Sequence, residues 1–410
     1  MPPLVNDRLP ARALGTKRMN AGQALWLHGI VLVSFLAASS APSPLYAIYR
    51  EAWGFSALTL TLVFSSYAFA LLAALLVLGG LSDHRGRREV VLLSIGLEFA
   101  SIVLFWRADS VGWLLAARLL QGLATGIATS TVSAAILDLN RERGSLINGI
   151  APMIGMAIGA LGTSALVQFA PAPTKLVFEL LLLAFALQAV AAFYLPETVE
   201  RRPGVWQSLK PKLAIPVQAR STLWQLLPVN TALWALGGFY LSLGPTLAKL
   251  ITGIDAPVVG GALIAVLVLS AAVSIYLVRE RPPRATLAAG AASFAVGLLI
   301  TLAGMQWHLT ALFFAGTALS GVGFGASFNG AMRSLVPLAT PLERAGLMAS
   351  FFVLSYLAFS LPAIAAGLSV GLFGLKPTAM GYGSLLVVMA LAALVAMKPW
   401  RVGALTSTAA

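Results

Sequence analysis

Twelve apolar runs, each about twenty residues long, occupy most of this 410-residue chain and leave short polar connections between them. They fall at about 23–47, 57–81, 90–107, 111–137, 146–169, 175–195, 223–248, 256–278, 285–306, 309–336, 345–371 and 377–397. A helix rises 1.5 Å per residue, so about 20 apolar residues match the roughly 30 Å hydrocarbon core of a bilayer. Apolar residues make up 59% of the chain and charged residues only 10%. A water-soluble fold of this size cannot hide so much apolar surface. That excludes an ordinary soluble enzyme and a disordered protein. With no cysteine, a disulfide module, a cysteine nucleophile and a thiolate metal site are excluded too. The expectation is an all-α integral membrane protein of twelve transmembrane helices, in contact with the lipid bilayer.

The formal charge of +13 would suit nucleic-acid binding if it were clustered, but it is scattered between the apolar runs. With both termini cytoplasmic, the cytoplasmic tails and loops hold 20 Lys and Arg residues. The opposite side holds five: Arg50, Arg107, Lys175, Lys249 and Lys376. This bias orients the chain, and a missed span would scramble it. No nucleic-acid partner is expected. The first run lacks a small-residue cleavage site and reads as a retained span. The expected organisation is a cytoplasmic tail (1–21), a six-helix bundle (22–195), a linker (196–222), a second six-helix bundle (223–397) and a cytoplasmic tail (398–410). The linker carries Pro196, Pro203, Pro211 and Pro216 among five basic residues. Internal repetition supports the halving. Gly122 and Gly126 in span 4 match Gly321 and Gly325 in span 10, and Glu142-Arg143-x-x-Leu146 matches Glu343-Arg344-x-x-Leu347. Two pseudo-symmetric halves point to a transporter with its site between them.

Between spans 2 and 3 lies Gly79-Gly80-Leu81-Ser82-Asp83-His84-Arg85-Gly86-Arg87-Arg88, of pattern G-x-x-x-D-x-x-G-R-R. Gly79 permits close helix approach, Gly86 a tight turn, and Asp83 a favourable charge at a helix N-terminus. This loop resembles the signature loop of the major facilitator superfamily, except that His84 stands where a basic residue is usual. The resemblance covers essentially the whole chain. It implies a latch of Asp83, Arg87, Arg88 and the acid ending span 4, Asp138, with Asp83 meeting span 11 in the outward-facing state.

Span 4 carries Arg118, Gln121, Thr125 and Thr129 on one helical face. The stretch Arg118-Leu-Leu-Gln121-Gly122 resembles the R-x-x-Q-G pattern of proton-coupled members. Gly155, Gly159 and Gly162 share a face of span 5, which suits close helix packing. Gly155-Met-Ala-Ile-Gly159-Ala160 resembles the glycine-rich motif of drug–proton antiporters, with Ala160 in place of the usual proline. A charge inside a membrane helix is costly and needs a partner or a wet cavity. Arg118, Glu98 in span 3, Glu179 in span 6 and the lone His28 of span 1 are therefore the proton-coupling candidates. Cavity candidates are Gln121 and Thr125 with Asn230, Trp234 and Tyr240 of span 7 and Phe324, Phe328, Asn329 and Arg333 of span 10. Aromatic walls with few polar groups suit amphiphilic ligands.

No G-x-x-x-x-G-K-[ST] loop and no H-E-x-x-H occurs. The expectation is no enzyme, no cofactor and no metal. The sequence reads as a secondary transporter of the bacterial inner membrane, working as a monomer by alternating access. Its expected role is proton-coupled efflux of small hydrophobic or amphiphilic molecules. Proton-linked transport of a metabolite such as a sugar or organic acid is the second reading, because Arg118 and Arg333 could pair with an anion. A membrane enzyme or sensor is a distant third.

Overall fold

The computed structural model describes residues 18–211, 213–340 and 342–397. The tail segments 1–17 and 398–410, with Arg8, Arg12, Lys17, Lys398 and Arg401, and linker residue Lys212 lie outside the described residues. Among those described, helices account for all regular structure. In chain order they are α1 (Ala21–Ser40), α2 (Pro42–Trp53), α3 (Ala57–Leu78), α4 (Leu81–Arg85), α5 (Arg87–Arg107), α6 (Val111–Leu139), α7 (Arg141–Phe169) and α8 (Leu176–Ala192). The short α9 (Val205–Ser208) lies in the linker. Then follow α10 (Val217–Ser242), α11 (Gly244–Thr252), α12 (Pro257–Val278), α13 (Pro283–Trp307), α14 (Thr310–Leu335), α15 (Arg344–Phe373) and α16 (Leu375–Ala396).

Among the described residues, ten helices are long and apolar enough to cross a membrane, with α1 and α2 counted as one stretch, and α10 with α11 makes an eleventh if that bent pair is one span. The sixth expected span is the 17-residue apolar helix α8. Polar residues set the helix starts. Asn20 and Gln23 form a reciprocal capping box on α1, Ser56 caps α3, and Asn140 caps α7. Prolines set two interruptions. Pro42 breaks the first span at Ala41, and Gly244-Pro245 bends the seventh by 74°. Both lie in the first helix of a half, because a proline donates no N–H to the carbonyl four residues back.

Helices α1 to α8 pack mainly among themselves, as do α10 to α16. The two groups meet along α3 with α15 and α7 with α12. Ser65 donates to the Ser360 carbonyl at 3.3 Å, and the Phe64 and Phe359 rings lie 5.1 Å apart. Helix α2 also touches α10, α11 and α12, so the halves are joined at the end that holds α2 and α11.

Small residues let these helices approach. A Cβ on Gly126 would stand 2.6 Å from Ala74 Cβ and 2.7 Å from the Leu71 carbonyl, which fixes α6 against α3. On α7, Gly155 lies against Val33 and Leu36, and Gly159 against Ala37 and Ser40, so both seat α7 on α1. Gly162 differs: a Cβ there meets nothing within 4 Å, so the packing stripe ends at Gly159. Gly159→Ala is expected to lower stability by about 2 kcal/mol through overpacking, and Gly162→Ala by less than about 0.5 kcal/mol. Thermal unfolding of the two purified variants in detergent checks the difference.

Candidate functional site

The site begins with a guanidinium in the wrong solvent. Arg118 lies seven residues into α6, about 10 Å along the helix, and is fully buried. Its Nε donates to the Tyr46 hydroxyl, and one terminal nitrogen donates to the Ser39 carbonyl and to Gln121 Oε1, both at 2.7 Å. Gln121 passes the contact on. Its amide donates to the Ala38 carbonyl at 3.1 Å and to Glu98 Oε1 at 3.0 Å. Glu98 is fully buried, eleven residues into α5, about 16 Å from its start and near mid-membrane. Gln121 thus bridges two intramembrane ionisable side chains that share no direct ion pair. One oxygen of Glu98, Oε2, and one nitrogen of Arg118 are left without a partner. Four rings surround the guanidinium, those of Tyr46, Phe64, Tyr67 and Phe105, with centroids 5.3–5.9 Å away. Cation–π attraction offsets part of the lost hydration.

The proline break explains why span 4 grips span 1 here. Pro42 cannot donate to the Ala38 carbonyl, so that acceptor is free for Gln121, and Arg118 takes the next one, Ser39.

The second element lies in the other half. Trp234 of α10 is ringed by Phe328 of α14 and by Phe352, Tyr356 and Phe359 of α15, at 4.9–6.5 Å. The buried indole N–H of Trp234 and the side-chain oxygen of Asn329 have no partner. Phe359 joins the two elements. It touches Trp234 at 6.0 Å and Phe64 at 5.1 Å, and Phe64 in turn faces Arg118 at 5.9 Å. The contact chain therefore runs from the buried charges, across the joint between the halves, into the aromatic cluster.

Other expected site residues fall elsewhere. Arg333 donates to the carbonyls of Val278 and Arg281, at 3.3 and 2.8 Å, so it closes the end of α12 and does not face the cluster. Asn230 donates to Ser355, and Tyr240 pairs with Thr317; both contacts are buried between helices. Phe324 packs against the α7–α12 joint, and its ring edge also reaches Gly237 of α10, beside Phe359. Thr125 is buried on the Arg118 face, beside the Tyr67 hydroxyl. Glu179 is exposed and accepts from the Trp106 indole at 3.1 Å, outside the Arg118 network, because its place in the first turn of α8 puts it at the helix end. His28 is buried and pairs through Nδ1 with the Ala24 carbonyl at 2.7 Å, also apart from Glu98.

The signature loop is closed on its own half. Arg87 pairs with Asp83 at 2.7 Å and with Asp138 at 3.1 Å, and it donates to Ser82 at 2.5 Å. The backbone N–H groups of Arg87 and Arg88, at the start of α5, donate to Glu197 at 2.7 and 3.3 Å. The Asp83 carbonyl accepts from the Arg202 N–H, Thr198 donates to Asp138, and Arg201 pairs with Glu89. Asp83 is thus engaged with Arg87 and the 197–202 strap. Gly86 adopts φ 101°, a left-handed turn that glycine allows. Gly79 is followed one turn later by this loop, and its own Cβ position faces the Leu75 carbonyl at 2.5 Å.

The sequence reading missed Tyr46, Phe64, Tyr67 and Phe105 around Arg118, the α15 aromatics around Trp234, and Glu197. A usable signal existed for the α15 set. Phe352, Tyr356 and Phe359 recur at helical spacing on one face, i, i+4 and i+7.

Known proteins share this architecture. The sequence model of the Major Facilitator Superfamily matches residues 29–280. A facilitated glucose transporter, solute carrier family 2 member 10 of Mus musculus, is 29% identical over 175 residues, covering 42% of this chain and 31% of that protein. Multidrug resistance protein MdtL of Escherichia coli O45:K1 is 30% identical over 150 residues, covering 35% of this chain and 38% of that protein. The chain therefore spans about a third of the length of these curated relatives. Among solved structures, a point mutant of the nucleoside transporter NupG aligns with TM-score 0.72 and 12% identity, over 92% of this chain and 100% of that one. The human organic anion transporter MFSD10 aligns with TM-score 0.64 and 18% identity, over the same shares.

The buried network makes an asymmetric prediction. Arg118→Met removes the cation of the network and leaves the Ser39 carbonyl, Gln121 Oε1 and the Tyr46 hydroxyl without their donor, at an expected cost of about 3 kcal/mol or more. Glu98→Gln keeps an acceptor for Gln121 and is expected to cost less than about 1 kcal/mol. Thermal unfolding of both variants in the same detergent checks the order.

Proposed function

The chain belongs to the major facilitator superfamily and is a multi-pass membrane transporter of a small molecule, and from that premise we propose that it couples proton movement to the efflux of small hydrophobic or amphiphilic molecules. The observation that carries this reading is the pairing of Glu98 through Gln121 with Arg118, linked by Phe64 and Phe359 to the Trp234 cluster. A carboxyl with one unpartnered oxygen near mid-membrane can gain and lose a proton, and each change alters what Gln121 and Arg118 must satisfy. An aromatic cluster with an unpartnered indole N–H, that of Trp234, suits a largely apolar ligand bearing a polar group. Likeness to multidrug resistance protein MdtL supports the efflux direction. Likeness to the glucose transporter supports the second reading, transport of a sugar or other metabolite. Arg333 adds little to an anionic-substrate version, since it is committed to the α12 carbonyls.

In this reading the protein is a monomer of the bacterial inner membrane. It has twelve crossings, with α8 as the sixth and α10–α11 as the seventh, and both termini are cytoplasmic. The halves are 22–195 and 223–397, joined by the linker 196–222. Joining at the α2–α11 end and the engagement of Asp83 with its own half fit a state whose cytoplasmic latch is released.

The test is reconstitution in proteoliposomes with a panel of lipophilic cations and organic acids. Substrate-induced proton movement is expected with the lipophilic compounds. In Glu98→Gln it is expected to fall by an order of magnitude or more, with substrate exchange retained, because exchange needs alternating access but no change of protonation. Proton movement in Glu98→Gln equal to the parent would remove Glu98 from the mechanism. Proton-linked uptake of the organic acids alone would favour the metabolite reading.

A further inference from the structure

Away from the charge network and the aromatic cluster, a cavity of about 480 Å³ opens between the end of the linker and the first turns of α10 and α15. Its walls are Leu213, Ala214, Ile215, Arg220, Trp224 and Ser350. The linker is pinned there by two bonds to α15: the Ala214 N–H donates to the Gly346 carbonyl at 3.4 Å, and Ser350 donates to the Ala214 carbonyl at 3.5 Å.

We propose that this cavity binds an anionic phospholipid of the cytoplasmic leaflet, with Arg220 on the headgroup phosphate and Trp224, Leu213 and Ile215 against the glycerol and upper acyl chain. Three observations carry it. First, Arg220 is exposed and has one partner among the described residues, the Ile215 carbonyl, which Nε meets at 3.3 Å. Both terminal nitrogens of its fork remain for a phosphate. Second, Arg220 and Trp224 are four residues apart on one face of α10, and Trp224 is 71% exposed. At 1.5 Å per residue they stand about 5 and 10 Å from the helix start, the depths of the headgroup layer and its boundary with hydrocarbon. An indole at that depth is a common interfacial anchor. Third, the charge is complementary. This end of the molecule carries the excess of Lys and Arg, including Lys210 and Arg344 close in sequence. The acid beside Arg344, Glu343, is engaged. It accepts from the Thr340 N–H and hydroxyl at 3.1 and 2.8 Å and from Gln218 at 3.3 Å, which holds its carboxyl below the usual range and charged. It pairs with Thr340 and Gln218 and leaves Arg220 alone.

The inference rests on the orientation given under the proposed function, but its test does not. The full chain is placed in nanodiscs holding equal amounts of phosphatidylglycerol and phosphatidylcholine in both leaflets. Lipids retained on the released protein are then counted by native mass spectrometry. Retention of phosphatidylglycerol over phosphatidylcholine is expected, falling about five-fold in Arg220→Ala and largely preserved in Arg220→Lys. Trp224→Ala is expected to lower retention of both lipids. Arg279→Ala, a cytoplasmic-side arginine already stacked on Tyr276, should change nothing. A monodisperse Arg220→Ala protein that keeps phosphatidylglycerol as the parent does would overturn the proposal. So would equal retention of both lipids by the parent, and so would displacement of the lipid by inorganic phosphate, which would mark a site for free anions.

Discussion

The cost of keeping Arg118 and Glu98 out of water governs this structure more than any other interaction. A charged side chain inside a membrane helix needs several kcal/mol of compensation from its surroundings. Here three helices supply it: α5 brings Glu98, α6 brings Arg118 and Gln121, and the broken first span brings two carbonyls and Tyr46. The compensation is partial. One oxygen of Glu98 and one nitrogen of Arg118 stay unmatched. A network held slightly short of satisfaction has an alternative arrangement within reach.

Proline and glycine make the network geometrically possible. Pro42 frees the Ala38 carbonyl that Gln121 occupies. Gly155 and Gly159 seat α7 against α1 on the other side of the same break, and Gly126 seats α6 against α3. The break at Ala41 has a counterpart at Gly244-Pro245 in the seventh span. The seventh span bends there by 74°, whereas α1 and α2 run on as one stretch through Ala41. The α2 piece touches α10, α11 and α12, so displacement of the first span would be felt directly by the other half.

Much of this was legible in the sequence. The apolar runs predict nearly every helix, since a helix that is apolar on all sides can be satisfied only in a bilayer or a protein core. Arg118, Gln121 and Glu98 stood out because charge is expensive there. The short α8 was harder to anticipate, because its apolar run continues past the helix end into Phe193 and Tyr194. The misplacements share one cause. Sequence periodicity assigns a residue to a face, but not to a neighbour. Arg333 lies on a plausible inner face, yet it reaches the carbonyl end of α12, which no local pattern encodes. Glu179 lies inside the apolar run read from about 175, yet it sits in the first turn of α8 and is exposed at the helix end. The partners of Arg118 come from residues 39, 46, 64, 67 and 105, separations that only the packed fold brings together. Glu197 was equally hidden, since a lone acid after a span gives no hint that it caps the α5 backbone.

The central claim is that Glu98 is an exchangeable proton site whose state is felt by the ligand site. A hydrophobic carbodiimide adds to a protonated carboxyl buried in a membrane and leaves a mass tag on it. Peptide mapping after treatment of intact membrane vesicles reads that tag at Glu98 directly. The account expects Glu98 to be labelled, and labelling to slow when a transported lipophilic compound is present. Absence of labelling at Glu98, or labelling indifferent to every transported compound, would contradict it.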